Sequence, residues 1–388
     1  MRILRRFLIW FFTILIVGIL LLILTGNQHI LYGVQHTYLI GRTGPEIDDM
    51  NFFPFVSIPA KAPQEWEMDP RFGKAELTAE EEAELNELYT VAFLVVKDGK
   101  LLYENYWDGW NADSTFNSFS VAKSVVSTLT GIAIDKGHIQ SVFDPVSKYL
   151  PEYAEGEKAK LNLRHLLTMS TGLDYSESGG DPFSSNAKAY YGKDLQSTID
   201  ELEVDSPIGE DFVYISGSTQ IMGWVLEAAT GKTLDVLANE WLWTPLGNEH
   251  DSYWGKDRED GTIKSFCCHY SVARDFARLG QLYLDGGKWK GEQIVSEEFV
   301  SASLKPAKLN DKGKPNTRYG FFWWLHPEGD EPFYYARGYH GQFILVIPSE
   351  RMVIVRGGYK REQVNPMGHP SDIFRYIEIA HDLVDRAS

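Results

Sequence analysis

Only two cysteines stand in the 388 residues, Cys267 and Cys268, and they are adjacent. Neighbouring α-carbons lie about 3.8 Å apart, short of the roughly 4.4–6.8 Å of ordinary disulfides. No disulfide is therefore expected, and the pair is expected to pack in the core. No C-x-x-C or Cys/His zinc spacing occurs, H-E-x-x-H is missing, and the ten histidines are scattered, so nothing calls for a metal or cofactor. The absence of G-x-S-x-G argues against an α/β-hydrolase. Positive charge is scarce: 37 Lys and Arg face 54 Asp and Glu, a net charge of -17. Such a surface repels phosphate backbones and argues against nucleic-acid binding. Internal repeats and low-complexity tracts are also lacking. What is present, 44% hydrophobic and 13% aromatic residues, suits a globular chain with a sizeable core, and the length suits two or so domain-sized units.

The N-terminus departs from this composition. Phe7 to Leu24 carries no charge, and eighteen helical residues span about 27 Å, enough to cross a bilayer. Arg2, Arg5 and Arg6 precede the span, and residues 1–28 hold no acid. The apolar run exceeds the roughly 7–15 residues of a signal-peptide core, and no small-x-small cleavage site follows. Residues 1–28 are thus expected to be an uncleaved transmembrane anchor. The arginines place the N-terminus in the cytoplasm and the rest outside.

Residues 29–75 are rich in Pro, Gly and aromatics and suggest an extended arm lying against a domain of residues 76–388. Thr78 to Glu81 forms a capping-box pattern. Two apolar runs flank Lys97-Asp98-Gly99-Lys100, a hairpin signal. Helices are expected over 120–137 and 271–284 and after Ser371, and antiparallel strands over 318–358. The sheet region is placed at 76–137 and 265–388, with a mainly helical subdomain at 138–264. This is an α/β protein of the α+β type, its antiparallel sheet flanked by helices.

Ser120 and Lys123 share one helical face at the head of an apolar helix. A serine there meets unpaired N–H groups and the positive dipole end. A desolvated lysine one turn on can lose its proton near neutral pH and take the serine's. Ser185 and Lys188 repeat the spacing, but among loop formers with no apolar helix opening there. Tyr214-Ile215-Ser216 precedes a second apolar helix, where a phenol can relay protons. Gly338-Tyr339-His340-Gly341-Gln342 interrupts two strands, where glycine permits close backbone approach.

In this order and separation, the three stretches resemble the penicillin-recognising serine hydrolases, nearest the class C β-lactamase-related branch with its esterases and 6-aminohexanoate-oligomer hydrolases. RHLLTMSTGLDY and SVARDFARLGQLYLDGGKWKGEQIV are similar too, and the resemblance covers about residues 75–388. It implies a β-lactamase/transpeptidase-like fold and an acyl-enzyme mechanism on a small-molecule amide, ester or peptide. Ser120 would be the nucleophile, Lys123 the general base and Tyr214 the proton relay. Ser216 would hold the second polar position, and the N–H groups of Ser120 and Gln342, the residue after Gly341, would form the oxyanion hole. Tyr339 stands where a lysine or histidine often meets a substrate carboxylate, and offers a neutral phenol instead. His340 could swing in as a cation at mildly acidic pH. Tyr175 and Asp174 are candidates for the mouth of the site, whereas His165 and His269 read as structural. Two alternatives differ in kind: a non-catalytic binder or sensor, which would need no proton relay, and a cell-wall D-amino-acid peptidase.

Overall fold

In the computed structural model, which describes residues 1–388, the apolar runs at both ends of the globular region make one antiparallel sheet. The strand Thr90–Lys97 is buried on both faces almost throughout, as a run without polar alternation requires. The Lys97–Lys100 turn folds Lys100–Tyr106 back on it as the edge strand. On the other side come Met352–Gly358, Phe343–Ile347, Phe333–Arg337 and Trp324–His326, each antiparallel to the next. Both ends of the globular region thus build the sheet, as expected.

Helices cover its two faces. The helix Asp372–Ala387 lays Tyr376 against Phe93 and Phe343, with ring centroids 6.1 and 6.2 Å away. On the opposite face the helix Ala273–Leu284 lies close to the strands at Gly280. A Cβ there would come within 2.6 Å of Val353 Cγ1 and 2.8 Å of Ile344 Cγ2.

The remaining helices are α1 (Arg2–Leu24), α2 (His29–His36), α3 (Ala79–Glu87), α4 (Ala122–Asp135), α5 (Leu163–Leu167), α6 (Ser185–Tyr191), α7 (Leu195–Asp200) and α8 (Ser216–Thr230), followed by shorter ones. The capping box forms at α3, where Thr78 and Glu81 exchange hydrogen bonds. α4 is buried nearly throughout, and one apolar core runs from the sheet into the helices. The site at their junction therefore rests on a continuous packed body.

Three expectations need correction. Residues 29–75 are not simply extended: α2 forms directly after the apolar segment and packs its Gly33 against the Tyr191 ring. Two 3₁₀ turns follow, and Phe55–Ile58 then pairs with Ser252–Gly255. Ser185, expected in a loop, opens α6, because Ser184 caps it through the Ala187 N–H. Cys267 and Cys268 are joined in a disulfide with an S–S distance of 2.02 Å across α-carbons 3.8 Å apart. The usual spacing describes cysteines from separate segments. Here Cys268 adopts φ +63°, leaving the extended alternation that would send adjacent side chains to opposite sides.

The tight seat of Gly280 has a measurable consequence. Gly280→Leu should lower stability by about 1–3 kcal/mol, the usual range for overpacking a filled core, read as a reduced denaturation midpoint. An unchanged midpoint would show that the helix can lift off the sheet without loss.

Candidate active site

A tight turn precedes α4. Asn117 Oδ1 accepts the Phe119 N–H at 2.9 Å, and Phe119 holds φ +47°, a left-handed conformation rare for a bulky residue. Its ring packs edge-on to Tyr339 at 5.6 Å. Ser120 lies in the following 3₁₀ turn, partly exposed in the cavity, so it leads into the helix rather than standing as its first α-helical residue.

Lys123, one turn on, is buried to 1% exposure. Its ammonium donates to Ser120 Oγ at 2.8 Å, Ser216 Oγ at 3.1 Å and the Phe266 carbonyl at 2.9 Å. Burial lowers its pKa to about 8, against the opposing pull of Glu177. A lysine so placed exchanges its proton near neutrality. Tyr214 brings its ring centroid within 5.1 Å of Lys123 Nζ and stacks on Trp324 at 5.5 Å. Burial first, then the charge of Glu177, push its phenol well above the ordinary range, with the Ser120 hydroxyl and Arg337 opposing. The phenol therefore keeps its proton at neutral pH and is equipped to give one up only to a strong base.

Ser216 heads α8 and couples these groups to a carboxylate that the motif reading passed over. Glu177 accepts from Ser216 Oγ through Oε1 and from the Ser216 N–H through Oε2, both at 2.7 Å. It thereby satisfies a free N–H of the helix start and complements the dipole there. Glu177 lies in the SESGG loop, whose composition marks only a turn.

The glycine-rich stretch adjoins Ser120 through backbone proximity. A Cβ on Gly338 would fall 2.1 Å from the Ser118 carbonyl oxygen, so only glycine lets this strand end approach the serine turn. Arg356, fully buried, donates from Nη1 to the His340 and Gly341 carbonyls, each at 3.0 Å, and holds the loop from behind. Gln342 is buried, with its side-chain amide tied to the Tyr339 and Gly358 backbones.

The cavity in front of Ser120 has a volume of about 1320 Å³, above the roughly 300–1,000 Å³ of most ligand pockets. Tyr339 is half exposed on its wall, beside Arg337 and Arg361. The Arg337 guanidinium lies over Trp324 at 5.0 Å, and Arg361 donates to the Glu362 carbonyl. Neither arginine forms an ion pair. Tyr339 alone thus understates the positive charge on this wall. His340 does not supply it: its Nε2 meets the Pro45 carbonyl at 2.9 Å, and burial lowers its pKa.

Tyr175 and Asp174 do not line the mouth. Tyr175 is buried beneath Gly217, its hydroxyl on Asn186 Oδ1 at 3.3 Å, and Asp174 accepts the Glu203 N–H at 2.9 Å. Ser185 and Lys188 make no second site, because Lys188 pairs with Glu201 at 2.9 Å. His165 completes a helix cap with Asn162. No grouping of three or more His, Cys, Asp or Glu is arranged to hold a metal ion.

The Beta-lactamase family profile matches residues 78–356. The chain belongs to the Beta-lactamase family. It is 29% identical over 296 residues, 71% of this chain and 74% of the relative, to the 6-aminohexanoate-dimer hydrolase of Paenarthrobacter ureafaciens. It is 27% identical over 184 residues, 41% of each chain, to the N-acetylmuramyl-L-alanine amidase of Bacillus subtilis (strain 168). Among solved structures, the "Putative 6-aminohexanoate-dimer hydrolase from Bacillus anthracis" superposes with a TM-score of 0.74 at 22% identity, covering 88% of this chain and 94% of that one. Family and fold agree with the resemblance carried by the three motifs.

Burial of Lys123 gives a pH dependence that tests the expected Ser120–Lys123 chemistry. Only neutral Lys123 can take a proton from Ser120, so kcat/KM for an ester or amide substrate should rise with pH through about 8 and level off above it. Glu177→Gln removes the negative charge that favours the ammonium, so this limb should move to lower pH. Loss of a charge-assisted bond to Ser216 should also cut kcat about ten- to hundredfold. A limb that stays in place would show that Glu177 does not act on Lys123.

Proposed function

We propose that this Beta-lactamase-family protein is a membrane-anchored serine hydrolase that cleaves an amide or ester through an acyl-enzyme on Ser120, with its catalytic domain outside the cytoplasm. The observation that carries the reading is the 2.8 Å contact between a buried, easily deprotonated Lys123 and Ser120 Oγ. A binding protein needs a complementary cavity but not a desolvated base on a hydroxyl.

In this reading neutral Lys123 takes the Ser120 proton as Oγ attacks the substrate carbonyl carbon. The N–H groups of Ser120 and Gln342 receive the oxyanion. Tyr214 gives its proton to the leaving nitrogen or oxygen as the scissile bond breaks, and Lys123 returns a proton to the phenolate. Water then attacks the acyl-enzyme, again passing a proton to Lys123, which gives it to Ser120 Oγ as the C–Oγ bond breaks and the acid leaves. Ser216 and Glu177 hold Lys123 in line throughout. The relative that hydrolyses 6-aminohexanoate dimer favours an amide among the possible bonds.

The membrane part of the proposal rests on α1, which is long and apolar enough to span a bilayer and has no buried residue. With Arg2, Arg5 and Arg6 before it, the charge bias favours a cytoplasmic N-terminus.

A serine-reactive phosphonate should label the wild-type protein and not Ser120→Ala, with the adduct on Ser120 by peptide mass. Label on Ser185 would move the nucleophile elsewhere. Lys123→Ala should cost about 10²–10⁴-fold in kcat, the usual loss of a general base. Protease added outside intact cells should digest the domain, whereas a soluble protein cut near Gly26 would refute the anchor.

A further inference from the structure

Outside α1, Val213, Tyr339, Val364 and Met367 are large apolar side chains exposed on the cavity lining, and Tyr38, Leu39, Ile40 and Phe183 are exposed on the arm after α1 and on the loop that meets its start. The exposed turn Tyr38–Ile40 follows α2 directly. Tyr38 is 67% exposed, Leu39 75%, Ile40 49% and Phe183 63%. Exposed clusters of this kind mark contact surfaces.

What they contact is indicated by their continuity with α1. Four residues separate the end of α1 from the start of α2. At that start, His29 Nε2 meets the carbonyl of Pro182, the neighbour of Phe183, at 2.9 Å. The same arm reaches the cavity. Tyr191 lines it and lies within electrostatic reach of both Tyr38 and Tyr339. The Pro45 carbonyl meets His340, and the Ile47 carbonyl accepts the Asn117 N–H at 2.8 Å. One short segment therefore ties the apolar span, the exposed turn and both sides of the site together.

We infer that Tyr38–Ile40 and Phe183 form a docking edge that inserts into the membrane leaflet beside α1, and that the cavity takes amphiphilic esters or amides whose hydrocarbon chain runs along this edge. The inference rests on the hydrolase and anchor readings above. Lys123 Nζ lies 2.8 Å from Ser120 Oγ, and Arg337 and Arg361 stand on the cavity wall, so the scissile carbonyl enters while the chain stays at the rim. With a net charge of -17, the protein as a whole is repelled by anionic headgroups. Insertion is driven by apolar burial, and it persists on neutral lipid and at high salt.

The test uses the full-length protein in phosphatidylcholine vesicles. Leu39→Cys, Phe183→Cys and Met68→Cys are each labelled with an environment-sensitive fluorophore, with the unsubstituted protein as the blank. Met68 adjoins the edge strand Lys100–Tyr106, about 24 Å across the sheet from the cavity-lining strand at about 4.8 Å per strand. Emission at 39 and 183 should move to shorter wavelength and be quenched by brominated lipid, at low and high salt alike, while that at 68 should not. A vesicle-bound protein with all three positions alike overturns the docking edge and leaves the anchor standing. A protein that does not associate with vesicles overturns both.

Substrate class is read separately with Leu39→Glu, Ile40→Glu and Phe183→Glu combined. Its kcat/KM on a long-chain ester in the vesicles should fall about tenfold or more, with a water-soluble acetate ester turned over as before. Equal loss on both esters, or loss on neither, overturns the amphiphile assignment. Failure of the wild type on both esters and on the matching long-chain and acetyl amides defeats the hydrolase reading and the substrate class with it, while the emission data still decide the docking edge.

Discussion

The site depends on keeping an ammonium group away from water. Lys123 is buried at the base of α4, where desolvation weakens its hold on the proton. Such burial is costly unless every donor finds an acceptor. Ser120, Ser216 and the Phe266 carbonyl supply three, and each comes from a different segment. The lysine's requirement for partners therefore brings the serine turn, the start of α8 and the strand region near residue 266 to one point. Glu177 sets the balance: its charge favours the ammonium that burial disfavours, and its two bonds to Ser216 keep an acceptor aimed at Nζ.

A second buried cation supports the opposite wall. Arg356 has no ion-pair partner, and backbone carbonyls with the Thr90 hydroxyl take its donors instead. It thus fixes the backbone of the Gly338–Gln342 loop, whose Gln342 N–H would receive the oxyanion in the proposed mechanism. Gly341, at φ +83°, has room for no Cβ because Arg356 Nη1 would lie 2.7 Å from it. The loop's glycines and the buried arginine are one arrangement seen from two sides.

The N-terminal segment belongs to this body rather than hanging from it. Phe53 covers the buried Lys264 at 4.3 Å, and Asp49 takes hydrogen bonds from Arg42 and Tyr190, the latter a cavity residue. Burial raises Asp49 to about 6 and lowers Lys264 to about 7. The arm is therefore bound through partly neutralised polar groups and aromatic faces, one of them the cavity-lining Tyr190.

Much of this was legible in the chain itself. The apolar runs around Lys97–Lys100 and over residues 318–358 determined the strands, because a buried strand must be apolar along its length. The spacing of Ser120 and Lys123 and the order of the three motifs pointed to the family, because one helical turn sets that separation whatever lies around it. What tertiary structure alone decided depends on contacts between distant segments. Glu177 and Arg356 find their partners across 39 and 15 residues or more. Arg337 and Arg361 reach the cavity beside Tyr339 only when the strands align. Tyr175 proved buried because α8 packs over it. The Cys267–Cys268 bond turned on a single left-handed residue, and the helix after the apolar span on the aromatic surface that receives it. Local spacing fixes which groups one element can present, but their partners and their access to water are set only when the elements pack.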